Sequence, residues 1–262
     1  MDLREMVGHP SDRPRARHPW EQSRARFFRR QLAPYLHPGL RVLDIGAGDG
    51  YLAASFLPHL RPGGEVVCFD TGYSDEHLAR FSGAAPAGLS FTRDRPASRF
   101  DGVLLLDVLE HVPDDRAFLA SIVGDLLAPG GLLLANVPAY PSLFTRHDVD
   151  LGHHRRYRPG ELRMLLRDAG LEIMTTAGLF HSLLPVRVAQ KSSELLRGVW
   201  TRPALDMVPK HADTALSAWR SGRWLTRAVV GMLDVDNWLS AVCARRRITL
   251  PALSAWVLAK KP

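Results

Sequence analysis

Cysteine is scarce in this chain of 262 residues, which contains only Cys68 and Cys243. Two cysteines this far apart in the sequence predict neither a disulfide framework nor a zinc site. The chain also lacks an apolar run long enough to cross a membrane, and its charged start lacks the apolar core of a secretory signal peptide. We therefore expect a cytoplasmic protein without a metal site.

Acidic residues are outnumbered, since 34 Lys and Arg face 27 Asp and Glu for a formal net charge of +7. The arginines concentrate in three clusters, at 13–30, 146–167 and 245–247. Such clusters are compatible with a solvated surface, an anionic substrate, an acidic membrane surface or a nucleic acid. No zinc-finger, RRM or KH signature supports a nucleic acid as the partner.

Turn residues divide the first half of the chain into alternating helices and strands. Short apolar strands are predicted at 41–45, 65–69, 89–92, 100–106 and 132–137. Helices are predicted from Pro19 on, at 50–60, at 74–81 and from Pro113 on. This alternation indicates an α/β protein with a doubly wound, mostly parallel sheet.

A glycine-rich turn follows the first predicted strand. Its glycines, at positions 46, 48 and 50, let the backbone turn sharply and lie close to a ligand. The helix after the turn would direct its positive N-terminal end towards the same ligand. In doubly wound sheets ligands bind beyond the carboxyl ends of the strands. Four acids fall at or near those ends: Asp44, Asp70, Asp94 and Asp107.

The turn favours one nucleotide ligand over another. Asp70 follows Gly50 by about 20 residues, which suits a carboxylate that binds a ribose diol. A dinucleotide site requires a third glycine where Tyr51 stands. Asp44 and Asp49 would repel a pyrophosphate but suit a ligand with an ammonium and a sulfonium group. The pattern therefore favours S-adenosylmethionine, while a dehydrogenase that binds NAD stays an alternative.

Three motifs resemble those of class I S-adenosylmethionine-dependent methyltransferases. Val42 to Gly50 resembles the first motif of the family. Phe100 to Val112 and Pro129 to Leu134 resemble the fourth- and fifth-strand motifs of the branch that methylates small molecules. Together the three cover about residues 40–140. The resemblance implies a Rossmann-like sheet of seven strands with an antiparallel last strand, and S-adenosylmethionine as the cofactor.

The resemblance also implies roles for individual residues. The first acid and the glycine turn hold the methionine part, the second acid holds the ribose, an acid near the third strand helps to seat the adenine, and residues after the fourth strand line the floor. In that order, the cofactor-binding residues are Asp44, Gly46, Ala47, Gly48, Gly50 and Tyr51; Asp70 and Thr71; Asp94; and Asp107, Val108 and Leu109. The third-strand region, which contains Asp94, is short in this chain.

A stretch rich in histidine follows the fifth strand at 144–157 and resembles the Gly-His-x-Arg-Arg-Tyr loop of a bacterial subgroup of this family. An alcohol acceptor loses a proton during methyl transfer, and histidine is the usual base near neutral pH. His153 matches the histidine of the subgroup, so we expect it to be the base. The further candidates are His147, Asp148 and His154. The alternative is that the loop residues only brace the fold.

The chain divides into four segments. We predict an N-terminal arm and helix at 1–38, the cofactor-binding core at 39–180, a helical insertion at 181–250 and the last strand at 251–262. The N-terminal helix is either a packing helix or a lid whose Trp20 or Arg24 reaches the cofactor. Within the insertion, helices are predicted at 183–199 and at 214–245, with a break near Gly222 or Gly231. The insertion is either a cap on the core or an amphipathic surface that rests on a membrane beside Lys and Arg.

Missing motifs narrow the acceptor. The Asn/Asp-Pro-Pro-aromatic motif of amino-methylating nucleic-acid enzymes, a Pro-Cys nucleophile and a radical-type cysteine motif are all absent. We therefore predict a methyltransferase that acts on a small-molecule, glycan or lipid-linked acceptor and methylates an oxygen atom. The alternatives are an RNA methyltransferase and a non-catalytic protein that binds S-adenosylmethionine. Peripheral contact with the inner face of a membrane and the oligomeric state stay open.

Overall fold

The computed structural model describes residues 17–196, 222–246 and 248–262, and within them one sheet of seven strands forms the centre. The strands are β1 (Arg41–Ile45), β2 (Glu65–Phe69), β3 (Leu89–Thr92), β4 (Phe100–Leu106), β5 (Leu127–Pro138), β6 (Glu172–Leu179) and β7 (Ser254–Lys260). Their order is β3-β2-β1-β4-β5-β7-β6, and β7 runs antiparallel to both of its neighbours. The predicted fold class and the antiparallel last strand are confirmed.

Helices connect the strands and cover both faces of the sheet. The α-helices of the described residues are α1 (Pro19–Leu32), α2 (Tyr51–Ala54), α3 (Leu57–Leu60), α4 (Asp75–Ala84), α5 (Asp115–Ser121), α6 (Arg146–Asp150), α7 (Pro159–Asp168), α8 (Leu184–Leu196) and α9 (Arg223–Arg245). A single 3₁₀ turn at Leu109–His111 follows β4. None of the described helices is long and apolar enough to cross a membrane.

The N-terminal helix is held to the sheet by aromatic packing. Trp256 of β7 is fully buried, and its ring lies 5.4 Å from that of Phe27 and 6.0 Å from that of Phe28. Helix α9 packs against α1 and β6 on the same face of the sheet. Asn237 of α9 joins them, because it donates to the Ser23 hydroxyl at 3.0 Å and accepts the N–H of Phe180 at 3.2 Å. Helix α1 is therefore packed on the core.

One helix prediction was wrong. The helix predicted at 50–60 is divided into α2 and α3, because Pro58 has no N–H to donate to the carbonyl of Ala54, where α2 ends. Of the two positions predicted for a break in the later helix, Gly222 or Gly231, Gly231 lies inside α9, whose inner side packs on the core. The helix begins directly after Gly222, and the predicted residues 214–221 lie outside the described part, as do 197–199 of the preceding helix.

The predicted 144–157 loop also contains regular structure. Helix α6 occupies Arg146–Asp150, and the backbone of Thr145 is bonded by the side chain of Asp148, as in a capping box. The sequence prediction missed this helix, which is too short for a periodic apolar pattern. The segment 1–16 of the predicted N-terminal arm lies outside the described residues.

Candidate active site

The glycine turn lies against the end of β4, and two of its glycines are required there. Gly46 has a φ of 69°, and a Cβ on it would lie 2.8 Å from Cγ2 of Val108. Gly50 has a φ of 70°, and its Cβ would lie 2.8 Å from the ring of Phe91. Residues that have a side chain rarely adopt this backbone conformation, and neither position has room for a Cβ atom. The turn is therefore held close to Val108 after β4 at Gly46 and to Phe91 of β3 at Gly50.

Asp44 lies inside β1 and is only 4% exposed. Burial raises the pKa of its carboxyl to about 7, because the charged form loses hydration. An acid in this condition gains from a cationic neighbour, which would favour its ionised form. The residue therefore fits a ligand that carries an ammonium or sulfonium group, and it does not fit a pyrophosphate.

The second acid is placed by the turn after β2. The carboxylate of Asp70 accepts the N–H of Gly72 at 2.9 Å and, at a longer 3.4 Å, that of Gly48. The hydroxyl of Tyr73, a residue that the sequence analysis missed, donates to the carbonyl of Gly48 at 2.6 Å. These bonds tie the end of β2 to the glycine turn and hold the carboxylate of Asp70 beside Gly48. Thr71 beside it is exposed.

Two arginines from the N-terminal segment contact the glycine turn and the end of β4. Arg17 bonds Asp49 at 2.5 Å, and its guanidinium lies 4.2 Å from the ring centre of Tyr51. Arg24 is 6% exposed and forms an ion pair with Asp107. Helix α1 packs on the core, as the first interpretation of this helix predicts, and its Arg24 also binds Asp107, one of the predicted cofactor residues. Both arginines belong to the arginine cluster at 13–30, but no local sequence pattern indicates their partners.

The floor of the site is formed where β4 ends. Asp107 has a φ of 58°, which is uncommon for a residue other than glycine, and it accepts a bond from Asn136 at 2.7 Å. Burial raises the pKa of Asp107, but the charge and hydrogen bond of Arg24 outweigh burial and hold it below its ordinary value. Leu109 is fully buried in the core, so it supports the floor from below. Asp94 is exposed beyond β3.

Asp148 is the centre of the histidine-rich loop. Its fully buried carboxylate accepts bonds from Thr145, from Nδ1 of His153 at 3.0 Å, from Nε of Arg156 at 2.8 Å and from Nη2 of Arg187 at 2.5 Å. Burial alone would raise the pKa of Asp148, but the bond from His153 and the two arginine charges outweigh burial and hold it well below its ordinary value. An acid enclosed in this way orients His153 and has no exposed surface to offer an acceptor.

The four predicted catalytic residues differ in their surroundings. His153 is 9% exposed, and its ring centre lies 4.7 Å from that of His111. His154 has an exposed side chain, while its N–H binds the carbonyl of Glu110 at 2.7 Å. His147 is half-buried, and burial together with the nearby charge of Arg187 lowers its pKa. His153 is thus the histidine that the loop presses against the residues after β4.

Glu110 is the main residue of the site to which the sequence analysis gave no role. It is 1% exposed, and neither carboxyl oxygen has a hydrogen-bond partner among the described residues. Burial and the charge of Asp107 raise its pKa well above the ordinary value. Glu110, His111 and His153 each bring one potential ligand atom within 4.8 Å of the others, so these three could hold a metal ion. The adjacent Glu110 and His111 in the fourth-strand motif were the available signal.

Comparison with known proteins identifies the family. The family described as "Methyltransferase domain" matches residues 15–176. The chain belongs to this methyltransferase family. It is 34% identical over 180 residues to a ubiquinone biosynthesis O-methyltransferase of Cereibacter sphaeroides, covering 61% of this chain and 71% of that protein. A protein of the same name from Xanthomonas euvesicatoria is 30% identical over 166 residues, covering 55% and 67%.

Solved structures agree with the methyltransferase fold. An S-adenosylmethionine-dependent methyltransferase from Mesorhizobium loti matches with a TM-score of 0.51 at 17% identity, covering 88% of this chain and 96% of the other. Phosphoethanolamine N-methyltransferase 2 of Haemonchus contortus, in complex with S-adenosylmethionine, matches with 0.51 at 17% identity, covering 93% and 53%. At this identity the two matches show the fold. The protein is a methyltransferase that uses S-adenosylmethionine as its cofactor, and the acids around the glycine turn fit that cation.

Proposed function

We propose that this methyltransferase methylates a hydroxyl group of a small-molecule, glycan or lipid-linked acceptor, with His153 as the base. The observation that carries the proposal is the pair formed by His153 and the buried Asp148 beside the segment that follows β4. The relatives from C. sphaeroides and X. euvesicatoria are named O-methyltransferases, which favours oxygen as the methylated atom.

The cofactor residues are proposed as the resemblance implies. Asp44 would hold the ammonium group, with Gly46, Ala47, Gly48 and Gly50 providing close backbone approach. Asp70 and Thr71 would face the ribose, Asp94 the adenine, and Tyr51, Asp107, Val108 and Leu109 would enclose the rest. When bound, S-adenosylmethionine supplies a methyl group on a sulfonium, which is already a good leaving group. The protein therefore has mainly to align the acceptor and remove its proton.

The geometry gives His153 a preferred tautomer. Its Nδ1 lies 3.0 Å from the carboxylate of Asp148, whose low pKa keeps it ionised. An ionised acceptor at Nδ1 holds the ring proton there, so Nε2 keeps the lone pair that can accept a proton. A hydroxyl placed at Nε2 would then lose its proton as its oxygen bonds to the methyl group.

The test is a kinetic comparison of two histidine variants. His153→Ala should lower the rate of S-adenosylhomocysteine formation with a panel of phenol, catechol and sugar acceptors by about 10² to 10⁴-fold. Binding of S-adenosylhomocysteine should stay unchanged. His59→Ala, on the exposed side of α3, is the control and should leave both unchanged. Full activity in His153→Ala would refute the base, and a matching loss in His154→Ala or His147→Ala would transfer the role.

The sequence leaves two alternative functions open. An RNA methyltransferase would use exposed arginines to bind phosphates, and Arg24 and Arg156 of the clusters are buried and paired with acids instead. Salt-sensitive RNA binding in the micromolar range or tighter would revive that function. A non-catalytic binding protein would bind S-adenosylhomocysteine yet turn over no acceptor. Loss of activity on chelation, restored by a divalent cation, would replace the base by a metal ion held at Glu110, His111 and His153.

The predicted division of the chain and its cellular place belong to the same proposal. The core at 39–180 would bind the cofactor, and the helical segments at 1–38 and 181–250 would cover it. Arg187 of α8 supports a cap, because it extends from the insertion to Asp148 of the core. We propose a cytoplasmic enzyme that contacts the inner face of a membrane from one side.

A further inference from the structure

The outer side of α9 exposes large apolar side chains between Trp224 and Leu239. Six of them, between 46% and 83% exposed, form what we call the α9 stripe: Trp224, Leu225, Met232, Val235, Trp238 and Leu239. At 3.6 residues per turn these positions fall within an arc of roughly 140° around the helix. The opposite side is buried on α1 and β6 through residues such as Val230 and Leu233. The stripe is therefore additional apolar surface that packing of α9 on the core does not use.

The charges of α9 are arranged around the stripe. Both acids of the helix turn towards the protein body: Asp234 bonds Arg26 at 2.9 Å, and Asp236 accepts from the hydroxyl of Ser182 at 3.2 Å. Exposed arginines lie at the two ends of the helix, at positions 223, 227, 245 and 246. The exposed side of α9 is thus apolar in the middle, basic at both ends and free of acids.

We propose that the α9 stripe is a docking surface for an anionic lipid bilayer, on which α9 lies in the plane of the membrane. An apolar face with aromatic residues and flanking cations is the arrangement that binds the boundary between headgroups and acyl chains. Trp224 and Trp238 are 14 residues apart, or about 21 Å along the helix, and would anchor both ends. Arginine heads can reach the phosphates while their stems stay in the apolar layer.

Charge favours lipid over a second copy of the chain. A symmetric contact between two stripes would place the arginines of one helix end against the arginines of the other copy, with no acid between them. Anionic headgroups neutralise the same arginines. The proposal does not depend on the acceptor or on the base, because α9 contributes no residue to the site described above.

The test measures binding of the full chain to vesicles. The protein should sediment with vesicles of phosphatidylcholine and phosphatidylglycerol, less with phosphatidylcholine alone, and less at high salt. Val235→Glu, which places a charge in the centre of the stripe, should weaken that binding about tenfold or more. Met164→Glu, an equal charge change at a 52% exposed position on α7, is the matched control and should bind as the wild type does.

Three outcomes would overturn the proposal. The first is absence of binding to the anionic vesicles, or equal binding by the two variants. The second is a wild-type dimer that Val235→Glu converts to a monomer. The third is measured on Val235→Cys in a Cys243→Ser background. We expect the new thiol to react rapidly with a maleimide in the free protein and to be protected by vesicles. Protection already in the free monomer would mean that another part of this chain covers the stripe. Methyl transfer to a soluble acceptor should be equal in both Glu variants, which separates this test from that of His153.

Discussion

The two ends of the candidate site each contain a buried carboxylate, and the two carboxylates have opposite surroundings. Asp44, at the glycine turn, has a pKa raised to about 7 because burial disfavours its charge. Asp148, in the histidine-rich loop, has a pKa well below the ordinary value because two arginines and His153 bind it. One carboxylate is prepared for a cation that must come from outside, and the other has its cations built in. Substitution should therefore separate binding from stability.

The largest effect is expected at Asp148. Asp148→Asn removes the negative charge between two arginines that are buried, leaving both cations without their partner. We expect a loss of about 3–5 kcal/mol in the free energy of unfolding, measured by urea denaturation. The control is Asp125→Asn, which breaks an exposed pair with Arg95 at 2.7 Å and should cost less than about 0.5 kcal/mol. Equal losses would show that the contrast between the two carboxylates is wrong.

The stability that Asp148 contributes should also depend on pH in a defined direction. Its pKa is lower in the folded than in the unfolded protein, so its contribution is complete above about pH 4, the unfolded value, and is lost as the pH falls below it. Asp44 has the opposite sign, since its raised pKa favours folding at low pH, and that contribution is lost as the pH rises through about 7. The stability of Asp44→Asn should accordingly match or exceed that of the wild type at pH 8.

The second largest effect should be on cofactor affinity. Asp44→Asn removes the charge that we propose to hold the ammonium group, and a charged hydrogen bond contributes about 1.5–3 kcal/mol. The affinity for S-adenosylhomocysteine, measured by calorimetry, should fall about 10 to 100-fold. Asp49→Asn is the control in the same turn, because Arg17 already neutralises Asp49. A larger loss in Asp49→Asn than in Asp44→Asn would exchange their roles.

The third effect is a proton released on cofactor binding. Because the free carboxyl of Asp44 has a pKa of about 7, the protein at pH 6 must lose a proton before it can pair with the ammonium. Affinity for S-adenosylhomocysteine should rise about tenfold from pH 6 to pH 8. Calorimetry at pH 6 in two buffers of different ionisation enthalpy should detect close to one released proton. Asp44→Asn should abolish the release; if it persists there, another group is responsible.

The cofactor side could be predicted from the sequence because local patterns determine it. Strands, turn glycines and strand-end acids follow each other within a few residues, and parallel pairing brings the strand ends together without further information. The turn between β1 and α2 is an example, since Gly46 and Gly50 have the positive φ angles that the motif requires. The divided helix after it was missed because the apolar pattern outweighed Pro58 in the prediction.

The acceptor side could be predicted only in part, because contacts between distant residues build it. The pattern indicated His153 but not its partner set, which joins Asp148 to Arg187 across 39 positions. Glu110 lay within a recognised motif, yet its isolation in the core depends on how three segments pack around it. Arg24 lies 83 positions before Asp107, its partner. Such pairs are set by the tertiary fold, and a single sequence has no local signal for them.

The smallest effect is expected at Asp94, which we propose to face the adenine. Asp94 is exposed beyond β3, so any bond it makes to the adenine competes with water and contributes little. We expect Asp94→Asn to weaken S-adenosylhomocysteine binding about threefold, corresponding to about 0.6 kcal/mol. Asp75→Asn is the control, because Asp75 is equally exposed at the start of α4 and pairs with Arg93 at 2.7 Å. A loss as large as that of Asp44→Asn would mean that the 93–96 segment closes over the adenine when the cofactor binds, whereas no loss would remove Asp94 from the site.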